Sequence, residues 1–559
     1  MSTSLPSDMH LESLEVGATP LARHFLQRLH LPAFFERHLP VLPGRQPDLP
    51  SSQTLCVLLT NLLLARQPLY AIPAWVARRV PEHLGLQTDQ ISLLNNDHIG
   101  RALDHLDRAD RASLLTALVT HAVRAFEIDL QELHQDTTTV TFSGEYDQPT
   151  EVGQPHITFG YNKDHRPDLK QLLYSIAISA DGAVPVHCKL YDGNTSDDSV
   201  HIDTWDFLYQ IIGHSDFLYV ADSKLCTHEN MEHIQTRKGR FLTVMPRTRR
   251  EDGWFREHQF ANPMEWLEVH REPNPRRLSG PDIVYHAVES PQRSADGYRV
   301  LWYRSSQKQY QDQESRRQRL DRAHARLEGR QAPGCRERNH ADTLAAAECI
   351  LIDEHVQHLL CIEIDSTIQE EYRQEGPGRP GPDTSWRRIE HVRHRARFVE
   401  NGEAIRREAS ADGLFPLMTN DETLTLAEAL GKYKYQPFVE KRHEQLKSVF
   451  GVRPMWLKSV KRVSSLLWLY YAVELIQALM ERQVRRRMEQ KQSPGLALYP
   501  EGRASEAPTT ELMIGILEGH RRHRLLNERG EELRRFHDPL PQVAHEVLQL
   551  LEVDPTPYG

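Results

Sequence analysis

Cysteine is scarce in this chain: six among 559 residues (Cys56, Cys188, Cys226, Cys335, Cys349 and Cys361). None forms a Cys-x-x-Cys pair, which excludes the common zinc-knuckle and redox motifs. So few cysteines fit a reducing cytosol better than a disulfide-stapled secreted scaffold. A basic excess is missing too. Lys and Arg number 68 against 78 Asp and Glu, a formal net charge of -10. That excludes a uniformly basic nucleic-acid coat. It leaves room for local basic faces, because charges further apart than a Debye length of about 8 to 10 Å act separately. The first residues, MSTSLPSDMHLESLE, lack the basic-then-apolar pattern of a signal peptide. Long apolar runs are rare. The best is Val463 to Met480, interrupted by Glu474 and Gln477 and followed by Arg482, Arg485, Arg486 and Arg487. It reads as a buried amphipathic helix, so no membrane partner is expected. No internal repeat is found.

What is present is ordinary globular texture, 39% apolar and 26% charged. At about 150 residues per domain the length allows three or four domains. Residues 1–125 read as helical. Ser51-Ser52 caps a run in which Leu55, Leu58, Leu59, Leu62 and Leu63 fall at helical spacing. Near residue 130 the texture changes. The β-branched stretch Glu132 to Ser143 reads as a strand, as do Leu172 to Ser179 and Ala183 to Tyr191, with Asp181-Gly182 as a hairpin turn. Then come a helix (His201 to Ile212), a strand (Phe217 to Ala221), a helix (Thr227 to Thr236) and a strand (Arg240 to Met245). Three meandering strands followed by α/β crossovers predict an α/β fold with a mixed five-stranded sheet. Residues 251–423 hold strand-like pieces, an Arg-rich helix (Glu314 to Glu328) and a Gly/Pro loop at Gly376–Pro382. Residues 424–490 read as helical again, and 491–559 as a helical tail.

Two aspartates stand out. Asp136 lies mid-strand in Asp-Thr-Thr-Thr, where a carboxylate is costly to bury unpaired; the alternative is a surface Asp on an edge strand. Asp222 follows the buried run Phe217 to Ala221, where α/β sheets place active groups; the alternative is a helix N-cap. On the first and fourth strands of one mixed sheet they would be adjacent, and like charges that close call for a divalent cation. A third carboxylate is then expected from a helix on that sheet. Glu440 and Lys447, two turns apart on the helix begun at Pro437, share one face, and Glu444 is a rival. The alternative there is a solvated charged face.

The run Tyr433-x2-Gln436-x3-Glu440-x6-Lys447 resembles the Tyr-x2-Arg-x3-Glu-x6-Lys motif of DDE-type transposases of bacterial insertion sequences, with Gln436 at the Arg position. Asp136 in DTTT and Asp222 in VADSKL resemble that family's two catalytic aspartates. The tracts LNNDHIGRALDHL (94–106), GYNKDHRPDLKQ (160–171) and YDGNTSD (191–197) are similar as well. The likeness covers about 125–250 and 425–485, and its spacing selects Glu440 over Glu444.

The resemblance implies an RNase H-like core, residues 126–250 and 424–490, interrupted by a largely β insertion (251–423). A helical N-terminal region (1–125) would bind DNA ends, and a helical tail (491–559) would follow the core. It implies Asp136, Asp222 and Glu440 as catalytic ligands of two Mg2+ ions, which Mn2+ would replace. Such ions cut and rejoin phosphodiesters by activating a nucleophile and stabilising the leaving oxygen. Partners would be double-stranded DNA, both terminal inverted repeats and target, and a second copy in a synapsed homodimer. The location would be the bacterial cytoplasm, on the nucleoid when DNA is bound. Tyr433 and Lys447 would contact the backbone of the transposon end.

From Lys432 to Lys491 there are 14 Lys and Arg against 5 Asp and Glu, which offers a basic surface despite the net charge. Lys458, Lys461, Arg462 and, in the insertion, Arg247 are candidate phosphate contacts. Arg482 to Arg487 could extend that face or form a solvated helix end. A Trp beside the arginines could hold an unstacked base, although a core role suits Trp254, Trp266, Trp302 and Trp386 better. Two other functions remain open: an RNase H-like nuclease without strand transfer, and a catalytically silent DNA-binding descendant.

Overall fold

The Thr137-Thr-Thr-Val-Thr141 run builds the centre of the sheet that carries Asp136. β-branched side chains suit a pleated, covered surface, and every residue from Thr137 to Phe142 is buried in strand β1 (Glu132–Phe142). The computed structural model describes residues 9–41, 47–146, 153–163, 166–274, 280–330, 339–449, 457 and 459–559. These form two compact units, one from residues 1–243 and 431–559, the other from 244–430.

In the first unit, β2 (Lys170–Ser179) pairs antiparallel with β1, and β3 (Val184–Asp192) antiparallel with β2. On its other side β1 pairs parallel with β4 (Leu218–Ala221), and β4 parallel with β5 (Arg240–Val244). The order is therefore β3-β2-β1-β4-β5, a mixed arrangement as expected. Helix α1 (His201–Ile212) links β3 to β4, and α2 (His228–Thr236) links β4 to β5. The β2–β3 connection needs φ of +85° at Gly182, a conformation glycine adopts without strain.

Helix α3 (Gln436–Glu444) carries Pro437 in its first turn, where the missing N–H costs nothing, and packs on β1 and β2. It runs into a π-helical turn, Gln445–Val449. Helix α4 (Val460–Gln490) is long and apolar enough to cross a membrane, but its apolar window is wholly buried. It packs against β3, Ser51–Leu64, Asn96–Asp107 and Gln542–Leu551. The buried Arg482 is spent there: it pairs with Asp181 and donates to the carbonyls of Phe126 and Glu127 at 2.8 and 2.9 Å.

The terminal regions are not purely helical. Six α-helices lie between Thr19 and Phe126 among the described residues. Yet Met9–Glu15 is a strand paired with Arg521–Asn527, which pairs in turn with Glu532–His537. The helical tail expected from the sequence is therefore in part a hairpin. Its turn decides this: the Asn527 side chain accepts from the N–H of Arg529 and of Glu531, and Gly530 has a φ of +76°.

The second unit is mixed rather than largely β. Four strands run antiparallel in the order Leu414–Thr419, Arg299–Ser305, Ile283–Glu289, Leu267–Glu272. Helices Arg250–Ala261, Ser306–Arg330, His340–Asp353 and Gly402–Ser410 accompany them. Residues rich in Arg, Gln and Glu favour helix over Ser306–Arg330, and the buried Arg316 binds Asp412 through both nitrogens at 2.8 and 2.7 Å. Leu360–Gln374 and Trp386–Glu400 form a separate two-stranded ribbon, with Gly376–Pro382 in its connecting loop.

Candidate active site

The parallel register of β1 and β4 brings two acids together. Gln135 pairs with Ala221, so Asp136 and Asp222 follow side by side where β4 ends and β1 runs on. Because β1 has partners on both sides, Asp136 is on a central strand and the edge-strand alternative falls. Asp222 fills the capping role, for a short turn rather than for the helix that follows. One carboxylate oxygen accepts from the Lys224 N–H at 2.9 Å and caps the turn Ser223–Leu225. Its main-chain oxygen accepts from Thr243 Oγ1 at 2.6 Å, which fixes the loop.

The groups influence one another electrostatically. Burial raises the Asp136 carboxyl above its ordinary range, while Lys163, the Thr137 N–H at 2.7 Å and Lys447 pull it down and Asp197 adds to the rise. Asp222 is raised by burial, then by the charges of Asp136 and Asp197. Glu440 is raised by burial and by Asp136. Tyr433 is raised by burial, Glu440 and Asp222. The Asp136 charge thus acts on both other acids, Glu440 and Asp222 act on Tyr433, and Lys447 acts on Asp136.

Two contacts dock helix α3, through Gln436 and Arg442, and a third, from Lys432, holds the segment just before it. Gln436 Nε2 donates to the carbonyl of Gln135 at 3.3 Å. Lys432 Nζ meets Glu132 at 2.6 Å, and the buried Arg442 donates to the Ala183 carbonyl at 3.1 Å. His443, one turn beyond Glu440, is buried with Nε2 3.6 Å from Asp136 Oδ2, and neither ring nitrogen has a hydrogen-bond partner. Burial, then Lys163 and Lys447, hold its imidazole down at about 3.

Among the described residues, no group of three or more His, Cys, Asp and Glu is gathered so that it could hold a metal ion, so Asp136, Asp222 and Glu440 do not converge as a three-carboxylate metal site in this structure. The donor chemistry still fits Mg2+, which is usually held by one or two carboxylates and completes its shell with water and substrate phosphate. Asp136 interacts electrostatically with Asp222 and with Glu440, and a side-chain ammonium, that of Lys163, already stands 3.9 Å from Asp136.

The outer basic candidates fare unevenly. Lys458 lies outside the described residues. Arg462 is bound to Asp104 at 2.8 and 2.7 Å, and Lys461 faces that same carboxylate, so this part of the basic stretch ties α4 to the N-terminal helix Asn96–Asp107. Of the run Arg482 to Arg487, Arg482 is buried, Arg485 contacts Glu481 at 3.4 Å and Arg487 pairs with Glu552. Arg247 lines a polar cleft of the second unit with Arg256, Arg319 and Arg407, all three of which pair with acids of that cleft. Trp302 is core, stacked on Phe255 at 4.1 Å. Trp386 is 51% exposed on the ribbon, so the core role expected for it fails. The contributions of Lys163, Asp197 and His443 to the site were not read from sequence. The sequence offers Lys163 only as part of a loop, Gly160 to Lys163, that either contacts DNA near the first strand or lies at the surface, and it marks Asp197 only by the tract that holds it.

Residues 11–120 match a family described as "Domain of unknown function (DUF4277)". No curated protein matches the chain by sequence. Among solved structures it is loosely similar to one described as the cryo-EM structure of a piggyBac transposase synaptic complex with hairpin DNA. The two share 7% identity and a TM-score of 0.37, over 89% of this chain and 79% of that one.

Proposed function

We propose that this protein is a DNA transposase of the DDE type, with an RNase H-like core. It would cut DNA at the ends of a mobile element and join them to target DNA. The observation that carries the reading is the placement of Asp136 on β1 beside Asp222, just past the end of the parallel neighbour β4, with Glu440 on helix α3 packed on β1 and Lys447 in the π-helical turn that follows it.

The residues have separable tasks. Asp136, whose charge acts on both other acids, would be shared between two Mg2+ ions, with Asp222 serving one and Glu440 the other. Two such ions supply an activated water or 3′-hydroxyl and stabilise the leaving oxygen of an in-line displacement. The N–H groups of Thr137 and Lys224 hold Asp136 and Asp222 in place through one oxygen each, which leaves the second oxygen of each free of those contacts. Lys447 brings positive charge and Tyr433 a protonated phenol toward the same acids, suited to a phosphate backbone. Gln436 stands where relatives of the motif carry Arg, and here it anchors the helix to β1 rather than bringing a charge. Double-stranded DNA is the proposed partner, with a homodimer in the synapsed state, and the proposed location is the cytoplasm, at the nucleoid when DNA is bound.

The test incubates the protein with labelled element-end DNA, a plasmid and Mg2+. Joined products support a transposase. Cuts without joining would replace it with an RNase H-like nuclease, and end binding without cuts would mark a silent DNA-binding descendant.

A further inference from the structure

One side chain already brings positive charge among these acids. Lys163 Nζ lies 3.0 Å from Asp197 Oδ2 and 3.9 Å from Asp136 Oδ1. The carbonyl and hydroxyl of Thr137 accept from it at 2.7 and 2.8 Å. An ammonium has three protons, and these three acceptors use them all. Thr137 follows Asp136 on β1, so the charge is held beside Asp136 by the backbone of the same strand. Asp197 comes from elsewhere, the turn Asp197–Val200 after β3, and its charge is felt at Asp136 and at Asp222. The opposite side of Asp136 is closed by the buried His443 ring, whose nitrogens have no hydrogen-bond partner and one of which points at the carboxylate from 3.6 Å. A carboxylate with an ammonium on one side and an unsatisfied imidazole on the other is built for a cation.

We propose that Lys163 is the built-in counter-cation of this site: it holds Asp136 and Asp197 together when no divalent ion is bound, and gives up that position when one arrives. The proposal rests on the metal-dependent reading above. Without a positive charge, the acids from β1, β4 and the turn after β3 would repel one another. Lys163 relieves that repulsion and opposes a second cation at the same place. Divalent-ion affinity in the DNA-free protein is therefore kept low. A phosphate offers the lysine another anion, so DNA and metal favour one another at the site. Lys163 is a positioning residue in this account.

Titration of the full-length, DNA-free protein with Mn2+ alone tests this, the free ion being read by its electron paramagnetic resonance signal. Two unit charges about 4 Å apart interact appreciably even in water, and a dication doubles the effect, so Lys163→Gln should bind Mn2+ roughly ten-fold tighter or more. Lys163→Arg, which keeps the charge, should stay near wild type. A loss of packing cannot produce a gain in affinity, which separates this role from a merely structural one. Lys163→Met serves as a second variant should Lys163→Gln misfold, with circular dichroism as the check. Unchanged or weaker Mn2+ binding by the folded variants overturns the proposal. Asp136→Asn separates the two levels. If Asp136→Asn loses Mn2+ binding and Lys163→Gln gains none, the lysine proposal alone falls. If Asp136→Asn binds Mn2+ like wild type, both fall.

Discussion

Gln436 donates to the carbonyl oxygen of Gln135, the residue just before Asp136, at 3.3 Å. One contact thus ties the first turn of α3 to the strand that carries the central acid, one turn before Glu440. Gln436→Leu removes a neutral hydrogen bond and should cost only about 1 kcal/mol of stability. Its effect on chemistry should be larger, because displacing a reacting group by about 1 Å can cost roughly a hundred-fold in rate. Cleavage of labelled end DNA is expected to fall at least ten-fold on that scale, with the gel shift of the same DNA unchanged. Wild-type cleavage would show that the anchor does not position Glu440.

Glu474, on α4, is buried in the core of the first unit, and burial pushes its carboxyl up to about 8. The sign follows from linkage. The folded protein holds this proton more tightly than the unfolded chain, whose carboxyl titrates near 4.5. The stability is fully present below about pH 4.5 and is lost as pH rises through about 8. Glu474→Gln should flatten that dependence, by an amount on the order of a few kcal/mol between the two limits. Thermal midpoints of both proteins across pH 5 to 9 check it. Parallel curves would contradict it.

Gly193 precedes Asp197 in the turn after β3. A side chain there would overlap the main-chain oxygens of Gln171 and Thr158, and backbone cannot easily give way. Gly193→Ala is expected to lower stability by about 3 kcal/mol, read as a fall in the thermal midpoint. An unchanged midpoint would show that the segment holding Asp197 is looser than described.

Asp412→Ala in the second unit leaves the buried Arg316 without its bidentate partner, a loss of about 3 to 5 kcal/mol. Calorimetry should show a destabilised transition, while Asp412→Asn, which retains an acceptor, should lose less.

Helix α1 coincides with the span read from the sequence, α4 contains the apolar run Val463 to Met480, and the five strands of the first unit deviate by a residue or two. Their signals are local: β-branched runs, apolar helical spacing, an Asp-Gly turn. Other elements were not legible for physical reasons. Of the ribbon, only the start of Leu360–Gln374 is legible as a strand, where Leu360, Ile362 and Ile364 alternate with polar residues; beyond it the ribbon exposes Ile368, Tyr372, Trp386 and Val392 and has too little covered surface to leave a pattern. Met9–Glu15 is polar and becomes a strand through a partner some five hundred residues away in sequence, with Glu12 and Arg524 paired across the sheet. Within the site, the acids announced themselves by position in strands and by the Tyr-Glu-Lys spacing. The neighbourhood of Lys163 did not, because it is assembled from a loop before β2, a threonine on β1 and a turn after β3. The basic character of Lys432 to Lys491 was visible, but much of it is consumed in holding α3 and α4 to the rest of the first unit.

The most direct measurement is anomalous diffraction from crystals of the protein bound to its end DNA and soaked in Mn2+. Peaks between Asp136 and Asp222 and between Asp136 and Glu440 are the predicted result, absent in Asp136→Asn crystals. An ordered complex with no Mn2+ at these acids, or with the ion bound elsewhere along the DNA, would contradict the assignment.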